Sequence, residues 1–144
     1  METQTENTRA QHAVAANLTM VTRQVNIANE RAERANRPRI VAVSKRQPDD
    51  RISAALDAGH RVFGENRVQE AQQRWSKRRA IHDDLRLHLI GALQTNKAAE
   101  AVALFDVIEV IDRPKLARAL AAEMQKANRQ LDCYIQVNTG EEAQ

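Results

Sequence analysis

Lys45 closes the apolar run Arg39-Ile-Val-Ala-Val-Ser44. A lysine beside low-dielectric walls readily presents a neutral amine, which can attack a carbonyl carbon and form a Schiff base. The same residue type at a strand end also commonly lays its stem along apolar surface and keeps its ammonium in water. The residues alone leave both readings open. His88, between Leu87 and Leu89, is a second candidate, either an acid–base group or a satisfied core histidine. Around these two lie further polar groups, each just after a short apolar run: Gly64-Glu65-Asn66, then Gly91, Gln94, Asn96 and Lys97, then Asp112-Arg113, then Asn138-Thr139-Gly140.

The elements that must position them alternate. Residues 5–36 read as one long amphipathic helix, with Val14, Leu18, Val21, Val25, Ala28 and Ala32 on one stripe. The residue before Pro38 is pushed out of helical geometry and ends it. Strands are expected at 39–44, 61–63, 85–90, 107–111 and 132–137. Helices are expected between them at 48–58, 67–80, 95–104 and 112–128. Gly59 stops the first of these helices, Thr95 and Asp112 are expected caps, and Pro114 sits in the first turn of the last.

Such alternation makes β-α-β units and a parallel sheet, in which residues following the strands gather at one end, where open sheets and barrels bind ligands. Period-2 alternation puts Leu85, Leu87 and Leu89 on one face of their strand and Arg86 and His88 on the other. It separates Cys133, Ile135 and Val137 from Tyr134, Gln136 and Asn138 in the same way. A sheet covered by helices on both sides would be apolar throughout; a barrel with a polar mouth accounts for the pattern better. The expected fold is α/β: the N-terminal half, about five strands, of a (β/α)8 TIM-type barrel preceded by a long helix. Residues 1–37 form the leading helix packed on the barrel, and residues 38–144 form the partial barrel.

Composition narrows the chemistry. The 144 residues are 42% hydrophobic and 28% charged, as in an ordinary globular domain, with four aromatics (two Phe, one Trp, one Tyr). The single Cys133 excludes an intramolecular disulfide and a thiolate zinc cluster, and no metal site is expected. The polar start Met1 to Thr8 lacks a secretory h-region, and no apolar run reaches the ~18 residues of a membrane span, so a cytoplasmic protein without membrane contact is expected. The net charge of +3 and the basic run Arg74–Arg79 admit a nucleic-acid-binding reading. A solvated helix face is the favoured one, because few aromatics are present to stack on bases. The segment Ser44-Lys45-Arg46-Gln47-Pro48 has no glycine, so a Gly-rich dinucleotide fingerprint is absent after the first strand, and P-loop, HExxH and GxSxG patterns are absent as well.

Five motifs occur in order: Val41-Ala-Val-Ser-Lys45, Phe63-Gly-Glu-Asn-Arg-Val-Gln-Glu70, His88-Leu-Ile-Gly-Ala-Leu-Gln-Thr-Asn-Lys97, Ile111-Asp-Arg113 and Ile135-Gln-Val-Asn-Thr-Gly-Glu141. Together they resemble the pyridoxal phosphate homeostasis protein family (YggS-type), along the whole chain but only over the N-terminal part of the family's length. The resemblance implies the alanine-racemase-like barrel fold and pyridoxal 5′-phosphate as cofactor. It makes Lys45 the Schiff-base lysine and places Asn66, His88 and Asn138 along the cofactor pocket. It implies a carrier or regulator of the cofactor in vitamin B6 homeostasis, with no established turnover and no catalytic residue, and PLP-dependent apoenzymes as recipients. A racemase-like enzyme and a truncated, non-binding fragment are the alternatives. Two departures matter. Gln47 stands where many members carry a second basic residue, and the family's phosphate-binding segments lie beyond Gln144. A half barrel is also expected to self-associate through its open sheet edge.

Overall fold

The computed structural model describes residues 2–140, so Glu141 at the end of the last motif lies outside the described residues. The chain divides into two compact units, one ending at Arg61 and one beginning at Val62. The first holds α1 (Glu2–Arg31), β1 (Ala42–Val43) and α2 (Asp49–Asp57). The second holds β2 (Val62–Glu65), α3 (Val68–Ile81), β3 (Arg86–Leu89), α4 (Ala98–Leu104, entered through a 3-10 turn at Thr95–Lys97), β4 (Val107–Ile111), α5 (Pro114–Ala127) and β5 (Asp132–Ile135).

In the first unit α1 packs against α2. It ends five residues earlier than Pro38 alone would require. Glu33 adopts a left-handed φ of 50°, its N–H donates to Glu30 O at 3.1 Å, and the Arg34 N–H donates to Asn29 O at 3.3 Å. This is a Schellman closure, which satisfies the last carbonyls of the helix. Gly59 closes α2 in the same way with φ 87°, and Asn128 closes α5 with φ 48°. Only at Gly59 does the residue type announce the geometry.

In the second unit the strands β2, β3, β4 and β5 are parallel neighbours in sequence order. A doubly wound sheet would reverse its order at a switch point. A monotonic order with a helix between successive strands is instead the α/β arrangement of a barrel segment. The core lies between sheet and helices: Phe63, Leu87, Leu89 and Ile108 from the strands meet Trp75, Val102, Phe105, Leu116 and Leu120, all essentially buried. Phe63 and Trp75 pack as a tilted aromatic pair with centroids 4.6 Å apart, a geometry worth about 0.5–1.5 kcal/mol beyond area burial.

Three expectations are corrected. Thr95 does not cap α4: its hydroxyl lies 3.5 Å from the Arg113 guanidinium, and the helix begins after the 3-10 turn. Asp112 does not cap α5 either, because its carboxylate accepts from Arg113 Nη1 at 2.5 Å and the cap position falls to Arg113. In both places an arginine competes with backbone N–H groups for the same oxygen. The apolar face of β5 is also not packed. Cys133 is exposed, Ile135 and Val137 are 78% and 71% exposed, and β4 is the strand's one neighbour among the described residues.

Candidate functional site

The C-terminal halves of β2, β3 and β4 converge on His88. The β2–β3 register sets Gly64 opposite His88 and Glu65 opposite Leu89, and the ladder continues as Ile90 N–H donates to Glu65 O at 2.9 Å. Just beyond, the two chains approach so closely that a Cβ on Gly91 would lie 2.7 Å from Asn66 Cα. Glycine at 91 therefore sets how Asn66, half-buried after β2, sits beside the end of β3.

Glu65 is wholly buried, and its Oε1 is met from α3: Trp75 Nε1 donates to it at 2.9 Å and Arg74 Nη1 at 3.2 Å. This clamp fixes the end of β2 below Asn66. It also gives the basic run Arg74–Arg79 internal work. Arg74 pairs with Glu65, Arg79 pairs with Asp106 at 3.0 and 2.5 Å, and Arg78 lies over the Trp75 ring at 5.8 Å.

His88 is 5% exposed, and its Nδ1 lies 2.5 Å from Glu109 Oε1. Its other nitrogen, Nε2, is buried without a hydrogen-bond partner among the described residues. Glu109 falls where the β4–β5 register shifts between Ile108 and Ile111. The β3–β4 register sets His88 opposite Val107, so Glu109, two residues on, shares its face of the sheet. The sequence did carry a signal for it, since Glu109 is the one charge inside the apolar strand Val107–Ile111.

Asn138 lies past β5, exposed, its carboxamide oxygen accepting the Gly140 N–H at 3.2 Å in an Asx turn. Lys45 belongs to the first unit. It is exposed in the turn after β1, beside buried Ser44, and the Gln47 N–H donates to Ser44 O at 3.1 Å. Arg46 holds a left-handed φ of 59°, a strained conformation of the kind stored at functional turns. The second unit thus brings Asn66 and His88 to adjoining strand ends, with Asn138 following the last strand, while Lys45 is carried by a strained turn of the other unit.

Two groups outside this cluster have displaced acidities. Glu100 is held below the ordinary carboxylate range, first by its own backbone N–H in the first turn of α4 and then by Lys97 at 3.1 Å. The Cys133 thiol is pushed up, first by partial desolvation and then by the Asp132 carboxylate. No group of three or more metal-ligating side chains occurs among the described residues, and no helix there is long and apolar enough to cross a membrane.

Comparison with known proteins converges on one family. The family described as alanine racemase, N-terminal domain, matches residues 8–142. The pyridoxal phosphate homeostasis protein of Vibrio cholerae is 37% identical over 134 residues, covering 91% of this chain and 57% of that protein. That of Escherichia coli K12 is 34% identical over 131 residues, covering 90% and 56%. Among solved structures, PipY of Synechococcus elongatus PCC7942 with PLP bound is 38% identical with a TM-score of 0.71, over 81% of this chain and 55% of that one. A protein from Bifidobacterium adolescentis is 27% identical with a TM-score of 0.83, over 94% and 59%. The chain therefore spans about half the length of the curated relatives it matches.

Proposed function

The chain belongs to the alanine racemase N-terminal domain family, and on that premise we propose that it supplies the amino-terminal part of a pyridoxal 5′-phosphate site in cytoplasmic PLP homeostasis. The observation that carries the reading is the likeness to the PLP-bound PipY structure, at 38% identity. When bound, the cofactor supplies an aldehyde that condenses with a primary amine. Lys45 is the residue assigned to hold it, with Asn66, His88 and Asn138 lining the pocket. Within the second unit, His88 fits such a group. The buried Nε2 of His88 has no internal partner among the described residues, and a buried polar atom left unmet by the protein is a natural ligand contact. The proposed role is binding and delivery, with PLP-dependent apoenzymes as recipients and no turnover of its own. The exposed edge at β5, with Ile135 and Val137 in water, supports self-association as a further property.

The test is a PLP titration of the purified chain, followed by borohydride reduction and peptide mapping. A yellow absorbance fixed onto Lys45 and lost in Lys45→Ala supports the assignment; absorbance that survives Lys45→Ala overturns it. Affinity is expected to fall orders of magnitude below that of a full-length relative. Phosphate contacts are charge-assisted hydrogen bonds of roughly 1.5–3 kcal/mol each, and the family's phosphate segments lie beyond Gln144. Equal dissociation constants would refute this.

A further inference from the structure

We propose that Glu109 is a positioning residue that acts through His88: it holds the proton on Nδ1 and so presents Nε2 as a hydrogen-bond acceptor to the ligand. An ionised carboxylate can only accept. At 2.5 Å from Glu109 Oε1, Nδ1 must therefore be the donor. In the neutral ring this leaves the lone pair on Nε2, the buried atom that no group among the described residues meets. An unconstrained imidazole favours the opposite tautomer, so the pairing is what selects this one. The register sets His88 opposite Val107, so Glu109, two residues on, shares its face of the sheet, and Gly64 opposite His88 offers no side chain to cover the ring. The ligand class is one that offers an N–H or O–H donor to Nε2. The assignment of that ligand to PLP rests on the function proposed above; the tautomer does not.

Two measurements separate them. Long-range proton–nitrogen correlation spectra of the cofactor-free chain, at about pH 8 where an ordinary imidazole is neutral, read the tautomer directly. The Nδ1–H form is expected to dominate for His88 and to give way to Nε2–H in Glu109→Ala. Glu109→Gln, whose amide oxygen still accepts, is expected to keep the Nδ1–H form. A dominant Nε2–H signal in the unaltered chain overturns the proposal even if neither variant folds. So does a Glu109→Ala spectrum unchanged from that of the unaltered chain. PLP titration is the second readout. Glu109→Ala is expected to lower affinity about tenfold, as loss of an orienting partner behind a ligand-binding histidine does, with most of it kept in Glu109→Gln. Failure of the unaltered chain to bind PLP sinks the functional reading and leaves the tautomer result standing.

Discussion

Asp106 and His88, toward opposite ends of the parallel sheet in the second unit, are met by their surroundings in opposite ways. At the start of β4 the Asp106 carboxylate is met from every side. Arg79 donates to both oxygens at 3.0 and 2.5 Å, the Leu87 N–H donates at 2.8 Å, and Arg129 approaches at 3.5 Å. Arg129 also donates to Phe105 O at 3.3 Å and to Val102 O. One residue thereby ties α3, β3 and the α5–β5 connection together. Toward the other end, His88 keeps one nitrogen buried without a partner among the described residues, while Glu109 holds the other. A saturated network stabilises and specifies packing, whereas an unmet buried atom costs free energy until something binds it. The contrast belongs to these two residues and not to the ends as a whole, since Arg86 Nε at the start of β3 is also buried without a hydrogen-bond partner among the described residues.

Substitutions can break this contrast. Asp106→Ala should have the largest effect. It removes the acceptor of several charge-assisted bonds and strands two part-buried arginines, for a loss of about 3 kcal/mol in urea denaturation. His88→Gln should cost less, about 1 kcal/mol, because the one hydrogen bond it loses is the Nδ1 pairing with Glu109, a carboxylate that water can still reach. Equal losses at the two positions would erase the distinction. Gly91→Ala should come next, at about 2 kcal/mol, since the new Cβ meets the Asn66 backbone rather than a side chain that can yield. A melting temperature unchanged by that substitution would mean that the close approach is not structural. The smallest effect is expected at Cys133, beside the start of β5. Its raised pKa slows thiol alkylation at neutral pH, and Asp132→Asn, which removes the neighbouring negative charge but not the desolvation, should speed it about two- to threefold as the thiolate fraction rises. Alkylation rates against pH for the two chains check this; identical profiles would remove Asp132 as a cause.

Much of the architecture was readable along the chain, because hydrophobic periodicity is a local property. The strand at Val107–Ile111 and the helix opened by Pro114 lie where periodicity and Pro placement put them. Local side-chain chemistry read less well wherever a distant arginine intervened. Thr95 and Asp112 have cap-forming side chains, yet Arg113 claims both oxygens. Glu33, Arg46 and Asn128 take left-handed conformations that no glycine announced. Of the candidate site, the positions after the strands were legible as a group. The pairing of His88 with a residue 21 positions away was not.

The residue order by itself determined the alternation of strands and helices, the parallel sense that follows from it, and the set of polar groups bound for one end of the sheet. Those follow from periods of 2 and 3.6 residues and from crossover geometry, which need no partner to be stated. Only the tertiary structure decided which of those groups are satisfied. Asp106 and Arg79 meet across 27 residues, Glu65 receives Trp75 and Arg74 from the next helix, and His88 is left with one nitrogen open. The reason is physical: a hydrogen bond counts by what it replaces, and what a buried atom faces is set by elements that the chain brings together only on folding.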